Sequence, residues 1–419
     1  MKNTEKYSRE KFFKTFIRDL NENNEKEEEK KDKTMDKVLL HIYRDLHEAH
    51  TYIQKHQNKI NSDIKKEIKQ PSIYNDTFFP EDIRTYININ AKYQLTYTFN
   101  DSSMQIKIHY TLFSEDELTY LDNYMEQTQT MLMWLRICRA YAAKMCAEKI
   151  DIYIYPTPFN KSLPRTNVDI LSAEQVNTAY TYHCPKNGEI VIFRNEEWFK
   201  VFLHETFHTY GLDFANAPKN NPVHHTLARI FPIMSEFNAT EAYAETWARV
   251  MNSAIHVFLA LKDKSAMEKF KEYLQTSLAL ERYFAVFQCN KILAFMGMNY
   301  TDLYSTKEKN SGAAAALRRN LYREKTSVFA YYILTSIFME NISSFLGWCE
   351  THNSSLLQFN NRSQHSLTEF AAYIEQEYKS DSYNSCLQQM KAQYMQLLKK
   401  KKTPMNEFVL TTTRMTLLG

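Results

Sequence analysis

Glycine is scarce in this 419-residue chain, which has only 6, whereas tyrosine and phenylalanine number 28 and 26. Glycine is the residue that most readily adopts the positive φ angles of tight turns. So few glycines favour a mainly helical protein over an α/β protein with many tight turns. Because 44% of the residues are hydrophobic, most of the chain is expected to fold around a core.

A charge excess and a long apolar run are also missing. Lys plus Arg total 52 and Asp plus Glu total 49, a formal net charge of +3, so dedicated nucleic-acid binding is not expected. The longest apolar run, residues 328–339, is shorter than the roughly 18–20 residues of a membrane span. It predicts a buried helix and no membrane-spanning segment.

The cysteines lack a metal-binding pattern. None of the six forms a Cys-x-x-Cys pair, so a cysteine-ligated zinc knuckle is not expected. The N-terminal residues contain no apolar stretch of signal-peptide length. We therefore predict reduced thiols and an intracellular, cytoplasmic location.

Local patterns predict an α+β, mainly helical protein. Apolar alternation predicts a hairpin over residues 93–110, and Ser114 begins a capping box for a helix over residues 115–148. The lysine run at residues 399–402 predicts a solvated helix end. The predicted regions are a charged, partly disordered arm with a helix over residues 37–69 (1–70), a lobe with a small sheet (71–211), a helical lobe (212–402) and a tail (403–419).

One predicted helix follows an apolar strand at residues 189–194. Asn195 is the expected N-terminal cap, and Glu196 and Glu197 lie in the expected first turn, where acidic groups suit the helix dipole. Gly211 is the expected C-terminal stop. A short extended segment is predicted before the strand.

This helix carries the motif His204-Glu205-x-x-His208. Residues four apart lie on one face of a helix, so both imidazoles can reach one metal ion. Glu205 would lie beside the open coordination position as general base toward a zinc-activated water. A catalytic zinc site needs three protein ligands, so a third donor is expected elsewhere.

Two glutamates further along the chain provide candidates for that donor. Glu241 and Glu245 are one helical turn apart on a second predicted helix. One can bind zinc while the other accepts the free ring N–H of a ligand histidine. Spacing alone leaves open which glutamate has which role, and a solvated acidic face is the structural alternative.

His204-Glu205-x-x-His208 followed by Glu241-x-x-x-Glu245 resembles the gluzincin branch of zinc metallopeptidases. Residues 241–245 are more similar to the lethal-factor type than to the thermolysin type. The resemblance implies a zincin-like lobe, with Glu241 as the third zinc ligand and Glu245 as the residue that supports a ligand histidine.

The resemblance also has implications beyond the ligands. It implies that the strand at residues 189–194 helps to bind the substrate backbone. Residues 188–202 are similar to metallopeptidase-like proteins of large DNA viruses, which implies a viral protein that associates with virions.

A metzincin pattern is the rival geometry. His204 to Gly211 fits its beginning, but its third ligand would fall on Phe214 and Asp213 misses that position by one residue. Met234 resembles a Met-turn residue. For an oxyanion-stabilising residue four candidates remain open, namely Tyr331, Tyr332, His224 and His225.

These features predict a zinc metalloendopeptidase that acts on protein or peptide substrates. His204, His208 and Glu241 would bind zinc, and Glu205 would be the general base. The alternative is a structural or virion-associated protein that keeps a zincin fold with little or no turnover.

Overall fold

The computed structural model describes residues 33–304, 312–360, 364–400 and 403–419. The predicted class, α+β and mainly helical, is confirmed, because numerous helices surround a small mixed sheet. The first part of the predicted arm and two lysines of the run at 399–402 lie outside the described residues.

The sheet has six strands. They are β1 (Ile60–Lys65), β2 (Tyr93–Asn100), β3 (Gln105–Leu112), β4 (Lys149–Ile154), β5 (Ala179–Thr181) and β6 (Asn187–Ile192). The spatial order is β1-β2-β3-β4-β6-β5. β3, β4 and β6 are parallel, whereas the other neighbouring pairs are antiparallel. β5 therefore forms one edge of the sheet, beside β6.

The predicted hairpin is confirmed as β2 and β3. The Asp101 carboxylate holds its turn by accepting the backbone N–H groups of Ser103 at 2.6 Å and Met104 at 2.8 Å. The prediction of a helix as far as residue 69 was wrong, because the helix ends at Lys55 and β1 follows. β1 was missed because it is a largely exposed edge strand, held by backbone pairing with β2 rather than by an apolar face.

Helices make up most of the rest. In chain order they are α1 (Lys33–Lys55), α2 (Glu81–Asn90), α3 (Leu121–Tyr141), α4 (Ala173–Val176), α5 (Trp198–Thr209), α6 (Pro222–Ile230), α7 (Ala239–Ala260), α8 (Met267–Phe295), α9 (Tyr300–Leu303), α10 (Gly312–Leu321), α11 (Thr335–Glu340), α12 (Ile342–His352), α13 (Gln364–Glu377), α14 (Asp381–Lys399) and α15 (Pro404–Thr411).

Two helix predictions have different outcomes. The helix predicted over residues 115–148 is shorter: Ser114 caps a 3₁₀ segment, Glu115–Tyr120, and α3 then ends at Tyr141. The buried helix predicted over residues 328–339 is confirmed. It begins with a π-helical turn, Phe329–Leu334, and continues as α11.

The expectation of reduced thiols was wrong for two of the six cysteines. Cys146, in the turn after α3, and Cys184, in the turn before β6, form a disulfide across a sequence separation of 38 residues. Neither cysteine belongs to a short spacing motif, so the pairing could not be inferred from the sequence. The other four cysteines are free and buried.

A large hydrophobic core joins one face of the sheet to the helices, and α1 contributes Val38 and Leu39 to it. A smaller aromatic cluster lies on the other face and includes Phe79, Tyr180 and Phe193. α7 packs against α5 and α8, which brings the second glutamate helix onto the motif helix. Among the described residues, no helix is long and apolar enough to cross a membrane.

Candidate metal centre

The motif helix α5 begins later than the sequence predicted. Glu197 is its N-terminal cap and has a left-handed backbone, with φ of 56°. Both predicted first-turn glutamates therefore lie before the first helical residue, Trp198, and both are buried. Glu196 accepts the Lys161 backbone N–H at 2.7 Å, and Glu197 pairs with the Lys161 ammonium at 2.6 Å. These tertiary contacts prevail over the capping role expected of Asn195.

Three donor atoms converge at one point between α5 and α7. The Nε2 atoms of His204 and His208 are 3.1 Å apart. The Glu241 Oε2 atom lies 3.1 Å from His204 Nε2 and 3.5 Å from His208 Nε2. A tetrahedral zinc ion with bonds of 2.0–2.1 Å needs ligand atoms about 3.3–3.4 Å apart. The donor set therefore fits zinc in both chemistry and spacing.

The second ring nitrogen of His204 faces a buried ionic network. His204 Nδ1 lies 3.3 Å from Glu245 Oε2. Both Glu245 oxygens accept hydrogen bonds from the Lys200 ammonium at 2.9 Å, and Arg249 Nε donates to Oε1 at 2.9 Å. All three of these charged side chains are about 1% exposed. Glu245 thus lies behind His204 and on the side away from the three donor atoms.

The second ring nitrogen of His208 faces a different carboxylate. His208 Nδ1 is in direct contact with Asp213 Oδ2, and Asp213 Oδ1 lies 3.2 Å from His183 Nδ1. The Ala215 backbone N–H also donates to Asp213, at 3.0 Å. Asp213 is fully buried. Carboxylates in this position fix the ring orientation and tautomer of metal-binding histidines.

The charges of the metal-free site are mutually stabilised. Burial alone would lower the pKa of both histidines, but Glu241 and the carboxylates behind them raise the pKa of His204, and that of His208 well above its ordinary value. Burial opposes ionisation of Glu241 as well, yet the two histidines hold its pKa well below the usual range. Zinc binding would require both imidazoles to be neutral.

Glu205 is buried beside the triad and lines the same cleft, with only 7% of its surface exposed. Burial raises the pKa of Glu205 above its ordinary value. The Glu241 carboxylate adds to this effect, whereas His204 and His208 oppose it. A carboxylate with a raised pKa accepts a proton more readily, which suits a general base.

Tyr331 is the oxyanion candidate that lies at the site. Its hydroxyl donates to Glu241 Oε2 at 2.7 Å, and its ring is 5.8 Å from the His204 ring. It belongs to the π-helical turn Phe329–Leu334, an irregularity often found at functional sites. Burial and the nearby Glu241 raise the pKa of Tyr331 well above its usual value, so its hydroxyl remains a donor.

The other three oxyanion candidates point elsewhere. The Tyr332 hydroxyl donates to the Thr413 carbonyl oxygen in the core. His224 and His225 lie on α6, which the Asn221 side chain caps. His224 packs against Phe237, and neither histidine lines the cleft.

The metzincin pattern is not supported by the geometry. Phe214, at its expected ligand position, packs against Phe359 and Tyr243 in the core. Asp213 contacts His208 through the nitrogen opposite the converging donors. Met234 is exposed at the cleft. Among the described residues, the group with metal-binding spacing is His204, His208 and Glu241.

The triad opens into a cleft of about 740 Å³. Edge strand β5 forms one wall, and residues 234–238 and 324–327 form others. The substrate-binding role implied for the strand at 189–194 does not fit this sheet, because β6 is paired on both sides, with β4 and β5. The edge that faces the cleft belongs to β5 instead.

Several residues of the site were not predicted. Asp213 was considered only as a failed ligand, although its position just after the helix stop Gly211 could have suggested a role beside His208. Lys200 lies between apolar residues in the sequence of α5, and a lysine in such a helix is a signal for a buried ion pair. His183 gives no signal, because it reaches Asp213 only through the tertiary fold.

Comparisons with protein-family models, with curated proteins and with solved structures gave no match to this chain.

Proposed function

We propose that this chain is a zinc-dependent metalloendopeptidase of the gluzincin type. The observation that carries the proposal is the convergence of His204, His208 and Glu241 at the floor of an open cleft, with Glu205 beside them. Three donors with open space beyond them suit a catalytic site, whereas a structural zinc site is closed by four ligands. That contrast favours an enzyme over a structural or virion-associated protein without turnover.

The residues divide the chemical work. Zinc, when bound, polarises the scissile carbonyl and makes water a stronger acid. Glu205 takes the proton of the attacking water and passes it to the leaving amine. The neutral Tyr331 hydroxyl, which donates its single proton to Glu241 when no substrate is bound, would turn that hydrogen bond to the negative charge that develops on the carbonyl oxygen.

The cleft suits an extended peptide with large apolar side chains. A substrate backbone can pair with the free edge of β5, since an edge strand presents unpaired N–H and C=O groups. Phe78 and Met234 line the cleft and are 53% and 73% exposed. Covering two large apolar side chains that are exposed to water favours binding, because burial of apolar surface lowers the free energy of the complex. We therefore expect protein or peptide substrates with a bulky apolar residue near the scissile bond.

Glu205→Gln separates chemistry from metal binding. The zinc-loaded variant should keep its metal and lose about 10²–10⁴-fold in peptidase activity, because the amide cannot take the proton. Zinc content and cleavage of a mixed peptide library are the measurements, and the library should show enrichment of large apolar residues at the cleavage sites. Glu126→Gln, an exposed change on α3, is the matched control.

Two results would contradict the proposal. Full activity in Glu205→Gln would remove Glu205 from the mechanism. A zinc-loaded wild-type protein that cleaves no member of the library would instead favour the non-catalytic alternative.

A further inference from the structure

The Cys146–Cys184 disulfide packs against the end of the metal-binding helix. Gly211 ends α5 with φ of +61°, and a Cβ atom placed there would lie 3.2 Å from Cys146 Sγ and 3.4 Å from Cys184 Cβ. Gly211 lies between His208 and Asp213 in the sequence. The disulfide therefore contacts the short segment that joins a candidate ligand to the carboxylate behind it.

Residues 183 and 184 are linked to His208 by two routes, a direct one from Cys184 and an indirect one from His183 through Asp213. The Cys184 backbone N–H donates to the His208 carbonyl oxygen at 2.9 Å. His183 Nδ1 lies 3.2 Å from Asp213 Oδ1, and the other oxygen of Asp213 contacts His208 Nδ1. The loop thus holds both the backbone and the ring of His208.

Two residues at the cross-link have a backbone conformation that non-glycine residues do not favour. Cys184 has φ of 46° and Ala147, next to Cys146, has φ of 48°. Left-handed backbone is costly for residues other than glycine and persists where the surroundings impose it. Breaking the S–S bond removes one such constraint, so the loop can relax away from His208.

We infer that His183 is a positioning residue for the metal site, acting through Asp213, and that the Cys146–Cys184 disulfide holds it in place. Reduction of the disulfide then weakens zinc binding, which makes the site sensitive to the redox environment. The inference rests on the proposed function only in requiring that the triad bind zinc.

The reduction step begins at Cys184, which is partly exposed, whereas Cys146 is buried. A trialkylphosphine attacks Cys184 Sγ, the S–S bond breaks, and Cys146 leaves as a thiolate that takes up a proton. Water then supplies the oxygen of the phosphine oxide and releases Cys184 as a thiol. One phosphine is oxidised for each disulfide reduced.

The experiment compares zinc affinity in the two redox states. The protein is reduced with a water-soluble trialkylphosphine, the reagent is removed without air, and zinc is titrated against a competing chelator. A thiol count verifies the states, with four free cysteines before reduction and all six after it. We expect reduction to weaken zinc binding about 10–100-fold, the usual scale for loss of an outer-sphere partner. The Cys146→Ser/Cys184→Ser double variant should match the reduced protein and not respond to phosphine.

Variants of His183 test the positioning role separately. His183→Ala should weaken zinc binding in the oxidised protein, whereas His183→Asn should restore much of it, because its amide NH2 is a donor that can take the place of the ring nitrogen beside Asp213. Denaturant unfolding of the metal-free proteins is measured in parallel. A purely structural role would lower stability without changing zinc affinity and would overturn the inference.

Two further outcomes are decisive. Equal zinc affinities before and after reduction would overturn the redox coupling and leave the proposed function intact. An oxidised wild-type protein that binds no zinc would overturn both.

Discussion

The two histidines of the motif lie one helical turn apart, yet the protein supports them in different ways. Behind His204 is Glu245, held by Lys200 and Arg249 in the buried interior. Behind His208 is Asp213, whose other oxygen faces the partly exposed His183. Two histidines that are equivalent by spacing are therefore unequal in their surroundings.

The difference shows how much of the molecule each histidine depends on. On the His204 side, Lys200 also approaches Met415, at 3.6 Å, and Glu197 accepts the Met415 backbone N–H at 2.8 Å. His204 is thus connected to the C-terminal segment through the core. On the His208 side the support is a loop fixed by a disulfide. The first side should respond to loss of fold stability, and the second to local changes near the surface.

Lys200→Met should have the largest effect on stability. Removing one partner of a buried ion pair leaves Glu245 poorly compensated, which typically costs about 3–5 kcal/mol. The free energy of unfolding of the metal-free protein, from denaturant titration, is the measurement. Lys186→Met is the matched control, because the Lys186–Glu148 pair is exposed and such pairs contribute about 0–1 kcal/mol.

The corresponding change on the His208 side is His183→Ala. It should lower the free energy of unfolding far less than Lys200→Met, since the side chain of His183 is partly exposed. If both variants lost the same stability, the two sides of the site would not differ as their contacts indicate.

Changing the two supporting carboxylates should have an intermediate effect, on metal affinity. Glu245→Gln and Asp213→Asn should each weaken zinc binding about 10–100-fold, equivalent to about 1.4–2.7 kcal/mol. Glu241→Ala should remove most of the zinc, because a direct ligand is lost. Zinc titration of the three variants is the measurement. If Glu245→Gln lost the metal and Glu241→Ala kept it, the roles of the two glutamates would be reversed.

Glu245→Gln and Asp213→Asn should differ in their effect on the stability of the metal-free protein. Glu245→Gln leaves Lys200 and Arg249 without their carboxylate in the interior, so it should destabilise the metal-free protein as well. Asp213→Asn removes a charge that faces His183 and His208. Its effect should appear mainly in zinc affinity.

The contrast also explains what could be predicted from the sequence. Helical spacing, which is a local pattern that can be recognised in the sequence, relates the residues of each helix: His204, Glu205 and His208 on α5, and Glu241 and Glu245 on α7. Their supporting partners are not local. Lys200 meets Glu245 only because α5 packs on α7, and His183 meets Asp213 only because the loop before β6 folds over the end of α5.

The misplaced elements have similar causes. β1 depends on backbone pairing with β2 and has almost no apolar face, so its sequence shows no apolar alternation that would predict a strand. The start of α5 depends on Glu196 and Glu197 being drawn into buried contacts with Lys161. By contrast, the hairpin of β2 and β3 was found because its strands alternate and its turn is closed locally by Asp101.

The smallest expected effect is a loss of stability with rising pH, which bound zinc offsets. In the metal-free protein the pKa values of His204 and His208 are raised, because the carboxylates around them outweigh burial. Their contribution to stability is fully present below the unfolded-state value of about 6.5 and is lost as pH rises through the folded-state values. The free energy of unfolding falls by at most about 1.4 kcal/mol per pH unit for each proton released.

Zinc requires neutral imidazoles, so the stabilisation that zinc adds should grow over the same pH range. Unfolding titrations of both forms from pH 6 upward measure this, and a zinc effect independent of pH would show that these histidines do not bind the metal.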